Sequence, residues 1–194
     1  MTNLTPPIVF YLEHQDRIDE WAGLGNDARP LAHTFFSRLA QPLEARRAKL
    51  PGAPFLYVSL EEGCPKLFFA RHNWRVADGG ALRAGIGLEW VKNKTDFRSS
   101  YTGAWINLEL AGGAELTKAV RLRLEPLVVG RSFNISRWFP ASRVERPTRE
   151  DYWLDLDGFA AELIDRICDR WRLMYEAVDE AVATADAGSS VERK

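Results

Sequence analysis

The chain of 194 residues is 46% hydrophobic and 27% charged, a balance typical of a folded globular protein, and its length favours one domain over two. A formal net charge of −1 excludes a global attraction to nucleic acid or to a membrane surface, so any such attraction must be local. The two cysteines, Cys64 and Cys168, are too few for a disulfide framework or a metal cluster, and they fit a reducing cytoplasm.

The first fifty residues predict helices. Apolar residues recur at helical spacing over residues 8–21, with charged residues between them. A second helix is expected to begin at Asn26 or Asp27 and to tolerate Pro30 in its first turn, with a kink at Pro42. The Pro-Gly-Ala-Pro sequence that follows ends this helical part.

The middle of the chain predicts antiparallel strands. Four segments rich in aromatic and β-branched residues are separated by turn and loop residues. The predicted strands are residues 55–60, 66–74, 82–91 and 104–110. The turns are expected at residues 63–65 and 78–80, and a polar loop at residues 92–101. A short additional strand within residues 132–139 is left open.

The C-terminal part predicts two more helices. Residues 114–127 place apolar side chains on one helical face. A longer helix, capped by Asp155 or Asp157, carries an apolar stripe over about seven turns, which makes it roughly 40 Å long. This helix is expected to pack across the sheet. The alternative is that its second half pairs with another copy of the chain in a homodimer.

These elements predict an α+β fold, with an antiparallel sheet of about four to five strands flanked by N-terminal helices and a long C-terminal helix. Residues 1–185 are expected to form a single domain. Residues 186–194 are rich in glycine, serine and charge, and we expect them to form a disordered tail.

One face of the predicted sheet collects polar side chains. Period-two alternation places Glu89 on this face, together with Trp105, Asn107 and Glu109, and Arg71 is a further candidate. Glu89 and Glu109 could act as a catalytic acid and base, or together hold a magnesium ion. The alternative is a solvated sheet face, on which two nearby glycines admit a helix.

A nuclease pattern can be tested on the same residues. The PD-(D/E)xK nucleases place an acidic residue on one strand and Glu-x-Lys on the next, where they hold magnesium and activate water. Here Glu89 is followed by Trp90 and Val91, so Lys92 comes one position late and on the opposite face. Lys94 is not at the required spacing either. The sequence therefore does not favour a nuclease of this type.

A second candidate site is the segment of residues 131–149, which we call the Arg/aromatic segment. Arginines interleaved with aromatic residues suit contacts with phosphates and stacking with bases. Its candidate binding residues are Arg131, Arg137, Trp138, Arg143 and Arg146. The alternative is that these arginines pair with acidic residues of nearby helices.

The sequence carries no complete catalytic motif, so it favours a non-catalytic binding protein of a bacterial or phage system, such as phage defence. Its expected partner is a protein or a nucleic acid, contacted through the Arg/aromatic segment, with no membrane and no cofactor. The alternative is a metal-dependent hydrolase or nuclease that uses Glu89 and Glu109 with magnesium. No metal site is predicted outside that alternative.

Overall fold

The computed structural model of the chain describes residues 5–76, 80–92, 100–149 and 151–191. Within these residues it confirms the predicted α+β class, with five α-helices and one antiparallel sheet of five strands. The helices are α1 Pro6–Glu13, α2 Gln15–Arg38, α3 Ala40–Arg47, α4 Gly113–Val128 and α5 Leu156–Val191. The strands are β1 Phe55–Ser59, β2 Lys66–Ala70, β3 Ala84–Trp90, β4 Ser100–Ile106 and β5 Ala141–Val144.

The N-terminal helices divide at a different place from the one predicted. Helix α2 runs without interruption through Asn26 and Pro30. It ends at Arg38, and Leu39 separates it from α3. Pro42 lies in the first turn of α3, where the backbone N–H that proline lacks has no partner within the helix. Pro42 therefore starts a new helix instead of bending an existing one.

The sheet is a simple meander in which each strand pairs with the next one along the chain. In this register Phe69 lies beside Ile86, and Ile86 lies beside Ala104. These side chains point to the face that α5 covers, where Phe69 meets Trp171 with ring centroids 6.0 Å apart. The main hydrophobic core therefore lies between this face of the sheet and the helices.

Strands β4 and β5 differ from the predicted bounds. The fourth strand runs from Ser100 to Ile106; one further hydrogen bond continues the ladder, from Asn107 N to Arg83 O at 2.9 Å, before the chain turns into α4. Gly112 has a φ of 76° in this turn, which suits glycine. Residues 132–139 form no strand; a single antiparallel bridge joins Asn134 to Ser142 of β5. The predicted turn at 78–80 and loop at 92–101 lie mostly outside the described residues.

Helix α5 buries the apolar stripe that the sequence predicts. The carboxylate of Asp155 caps its first turn by accepting a hydrogen bond from Gly158 N at 2.8 Å. Leu163, Trp171 and Val178 are fully buried within the chain's own core. The described part of this stripe is therefore occupied by the sheet, as in the first of the two predicted arrangements.

Two polar anchors fix α5 against the sheet. Glu145, just after β5, is 3% exposed; it accepts hydrogen bonds from Thr102 Oγ1 and, at 2.8 Å, from Arg166 Nη1. At the other end of the sheet, Asp179 accepts hydrogen bonds from Arg71 at 2.5 Å and from Trp74 Nε1 at 2.8 Å. These charge-assisted contacts fix the position of the helix along the sheet.

Candidate functional site

The face of the sheet that α5 does not cover forms a cleft of about 1110 Å³. Its floor consists of β2, β3, β4 and β5, whose side chains alternate between the core and this face. Its walls come from the turn between β1 and β2, the residues before β3, the turn after β4 and the segment that leads into β5. We call this feature the sheet cleft.

Aromatic rings and glycines shape the floor. Phe68 and Trp105 stack with centroids 5.3 Å apart, and Gly85, the cross-strand partner of Trp105, has no side chain to separate them. Gly87 and Gly103 are direct partners at the centre of the floor. Gly85, Gly87 and Gly103 therefore place no side chain on this part of the floor.

Close packing against β2 explains why glycine occupies two positions of β3, which the sequence alone did not reveal. A Cβ atom on Gly87 would lie 2.1 Å from Leu67 O on the neighbouring strand, and one on Gly85 would lie 2.8 Å from the Cβ of Phe68. None of the described helices lines the cleft over these two positions. Glycine is needed here because adjacent strands, and the ring of Phe68, approach the backbone too closely for any side chain.

A compact charged cluster lies at one end of the sheet cleft. Lys66 and Glu89 are direct cross-strand partners, with Lys66 Nζ 4.0 Å from Glu89 Oε2. Lys66 Nζ also donates hydrogen bonds to the carboxylate of Glu62 and, at 3.1 Å, to Cys64 O. The same ammonium lies 5.6 Å from the ring centroid of Trp105, within the range of a cation–π interaction.

This environment changes the acidity of three groups. Burial raises the pKa of Glu89 to about 7, since the lowering effect of Lys66 is smaller and Glu62 adds a further rise. Burial also acts to raise the pKa of Glu62, but hydrogen bonds from Lys66 and Ser59 outweigh it, so this pKa is lowered. Burial, then the charge of Glu89, raises the pKa of the Cys64 thiol. Near pH 7 Glu89 is therefore poised between its two protonation states.

The predicted polar face is only partly assembled. Glu89, Trp105, Asn107 and Glu109 all line the sheet cleft. Asn107 and Glu109 lie in the turn beyond β4, where Asn107 Oδ1 accepts a hydrogen bond from Glu109 N at 3.1 Å. Arg71 is not part of this group, because its guanidinium pairs with Asp179 of α5.

The Arg/aromatic segment is divided between two surfaces. Trp138 lines the sheet cleft, and its carbonyl accepts a hydrogen bond from Ile106 N at 3.0 Å. Arg143 faces away from the cleft, on the same side of the sheet as its cross-strand partner Thr102. Within the described residues, no ion pair involves the four exposed arginines of this segment, Arg131, Arg137, Arg143 and Arg146. The alternative of pairing with nearby acids holds for Arg149, which binds Asp151 at 2.8 Å.

Several cleft residues were not predicted from the sequence. Lys66 is the lysine beside Glu89, whereas Lys92 donates to Leu60 O at 3.3 Å and Lys94 lies outside the described residues. Tyr101, the cross-strand partner of Glu89, also lines the cleft. Alternation back from Phe68 would place Lys66 on this face, but only the register with β3 brings it to Glu89.

The chemistry available in the sheet cleft is ligand binding and proton transfer. The described residues contain no group of three histidine, cysteine or acidic side chains able to hold a metal ion.

Among the helices that the structure describes, none combines the length and the apolar character that crossing a membrane requires. Comparison of the chain with protein-family models, with curated proteins and with solved structures finds no match.

Proposed function

We propose that the protein is a non-catalytic binding protein of a bacterial system, such as one directed against phage, and that it holds a segment of a partner protein in the sheet cleft. The observation that carries this proposal is the open cleft of about 1110 Å³, which is lined by aromatic rings and by five charged side chains. This volume slightly exceeds the range of about 300 to 1,000 Å³ that is usual for small-molecule pockets, so the cleft has room for a short stretch of peptide.

The charges in the cleft favour a protein over a nucleic acid. The charged side chains that line it are Glu62, Glu89 and Glu109 against Lys66 and Arg75. A phosphate backbone placed there would meet more carboxylates than cations. The Arg/aromatic segment has four arginines that are unpaired among the described residues, and these could instead contact a nucleic acid. Binding of a nucleic acid is therefore the competing outcome of the test.

Selection from a displayed library of random twelve-residue peptides tests this proposal. We expect selected peptides to bind the wild type and to lose most of their affinity for Trp138→Ala, which removes a ring at the rim and leaves the backbone in place. Trp153→Ala is the matched control, because Trp153 is exposed outside the cleft.

The proposal fails if no peptide discriminates between these two variants. It also fails if a mixed-sequence oligonucleotide binds instead and loses its affinity and salt dependence on Arg137→Ala and Arg143→Ala.

A metal-dependent hydrolase or nuclease is the second candidate. It is favoured by one observation, the pKa of about 7 for Glu89 in a cleft, which suits a general acid or base. Glu109 would be the second carboxylate, although the described residues contain no group of three histidine, cysteine or acidic side chains able to hold a metal ion.

A thermal-shift measurement separates the two candidates. We expect the melting temperature of the wild type to stay unchanged with about 10 mM Mg²⁺ or Mn²⁺ (roughly 100 times a Kd of ~100 μM), because the described residues contain no group of three histidine, cysteine or acidic side chains able to hold a metal ion. A rise of several degrees that disappears in both Glu89→Gln and Glu109→Gln would support the hydrolase and contradict the binding protein.

The surface for self-association is proposed on the N-terminal helices. The described stripe of α5 is buried, whereas Phe10, Trp21 and Leu24 are 59%, 66% and 60% exposed. An apolar groove of about 490 Å³ lies between α2, α3 and the start of α5, and Arg38 and Asp157 line it. We therefore propose that a second copy of the chain fills this groove with the exposed apolar side chains of its N-terminal helices, and that any homodimer uses this surface and not α5.

Light scattering tests this surface. We expect a dimer for the wild type and a monomer for the double variant Phe10→Asp, Trp21→Asp, because two charges would enter an apolar contact. Leu122→Asp is the matched control, since Leu122 is 70% exposed on α4 and we expect it to leave the dimer intact. A monomeric wild type, or a dimer that only an α5 substitution disrupts, would contradict this assignment.

A cytoplasmic location is part of the proposal. The support is that Cys64 and Cys168 are both free thiols, one exposed and one buried. Free thiols persist in a reducing compartment. Fractionation of the native host would test it.

A further inference from the structure

The two cations of the sheet cleft are already engaged by the chain itself. Lys66 Nζ donates to Glu62 and to Cys64 O. The guanidinium of Arg75 lies 4.6 Å from the ring centroid of Phe55 and donates to Gly80 O at 3.2 Å. The net charge of the lining side chains, with all five ionised, is −1. Among its described lining residues, the cleft therefore offers carboxylates to a ligand, and both of its cations already have partners within the chain.

The carboxylate of Glu89 lacks a hydrogen-bond donor. Its nearest cationic atom, Lys66 Nζ, is 4.0 Å from Oε2, which is beyond hydrogen-bond distance. Within the described ranges of the chain, no other group donates a hydrogen bond to it. The side chain of Glu89 is 16% exposed, and this exposed part opens into the cleft. A carboxylate held in this way is stabilised when a ligand supplies the missing donor.

An aromatic residue lies beside the same position. The ring of Trp105 is already engaged within the chain, since Phe68 stacks on it at 5.3 Å and the ammonium of Lys66 lies 5.6 Å from its centroid. Tyr101 is the direct cross-strand partner of Glu89. A carboxylate without a donor, beside an aromatic side chain, favours an ammonium or guanidinium group, which can form an ionic hydrogen bond with the carboxylate and a cation–π contact with the ring.

We infer that the sheet cleft takes a cationic amine or guanidinium group, which donates a hydrogen bond to Glu89 beside Tyr101. The inference rests on the proposed function, because it names the group by which the partner segment is held. This cationic group could come from a lysine or arginine side chain of a partner protein, or from a free polyamine.

The binding of a cation at Glu89 is expected to depend on pH. A bound cation favours the ionised form of Glu89, whose pKa in the free protein is about 7. The other titratable groups around Glu89 are Lys66, Glu62 and Cys64 from β2 and the preceding turn, and Tyr101 from β4. Affinity is therefore expected to rise about tenfold between pH 6 and pH 8, as the proton leaves Glu89.

The experiment compares each selected peptide with a twin in which glutamine replaces every lysine and arginine. We expect the twin to bind at least tenfold more weakly to the wild type at pH 8. We expect Glu89→Gln to remove both that difference and the pH dependence. Glu125→Gln is the matched control, since its carboxylate is exposed on α4, outside the cleft. Spermidine, tested as a competitor and alone, is the probe for a free polyamine.

Each outcome decides between the two proposals. If twins bind as well as their parents while Trp138→Ala still abolishes binding, the proposed cation site at Glu89 is wrong. The proposal that the cleft binds a partner protein is then retained. If no peptide binds but spermidine does, and Glu89→Gln abolishes it, the cation site stands and the partner-protein proposal is wrong. If neither peptides nor spermidine bind, both proposals are overturned.

Discussion

The Glu89→Gln variant is expected to be more stable than the wild type at pH 8, by on the order of 3 kcal/mol in the free energy of unfolding. The reason is that burial raises the pKa of Glu89 from the ordinary 4.5 to about 7 in the folded protein. The folded state therefore holds a proton that the unfolded state releases between these two values. This contribution to stability is fully present below pH 4.5 and is lost as pH rises through about 7.

Glutamine keeps the shape of the protonated side chain and does not titrate, so the two proteins should be equally stable below pH 4.5. Chemical unfolding from pH 4 to pH 8 measures the difference at each pH. Glu109→Gln is the control, because Glu109 is exposed at the rim of the same cleft. A difference between Glu89→Gln and the wild type that stays constant with pH would show that Glu89 is not buried in the way described.

The Gly87→Ala variant is expected to lose about 3 kcal/mol of stability, because overpacking at a rigid position has no cheap relief. A Cβ atom there would lie 2.1 Å from Leu67 O and 2.9 Å from the Cα of Phe68. Both atoms belong to the backbone of a central strand that is paired on each side. Gly103→Ala is expected to behave in the same way, since its Cβ would lie 2.1 Å from Ala141 O.

Denaturant unfolding of these variants is best measured beside two other glycine substitutions. Gly63 lies in the turn before β2, and Gly25 lies in the interior of α2; neither has an atom within 4 Å of the added Cβ. Gly63→Ala should be nearly neutral, and Gly25→Ala should gain up to about 1 kcal/mol from helix propensity. Equal effects at Gly25 and Gly87 would contradict the close approach of β2 and β3.

Much of the sheet could be predicted because its signal is local. Alternation alone places Glu89 and Trp105 on one face, and the structure places both in the sheet cleft. The same alternation failed after Ile106, since Leu108 and Leu110 continue the pattern while the backbone already turns towards α4. A period-two pattern shows which face a residue takes within a strand, but it does not show where the strand ends.

The rest of the site depends on pairings between distant parts of the chain. Arg71 was grouped with the polar face, but its partner Asp179 lies 108 residues later, on α5. Lys66 was missed because only the register of β2 against β3 brings it to Glu89. Interactions of this kind are absent from any single sequence window, which is why the charged end of the cleft could not be derived from the sequence.

The most direct test of the sheet cleft as the binding surface is nitrogen NMR of the tryptophan indole N–H groups during titration with a selected peptide. Trp105 and Trp138 line the cleft, whereas Trp21 and Trp153 are exposed elsewhere. We predict that the signals of Trp105 and Trp138 shift with the peptide and that those of Trp21 and Trp153 do not. Shifts confined to Trp21 or Trp153 would contradict the assignment of function to this cleft.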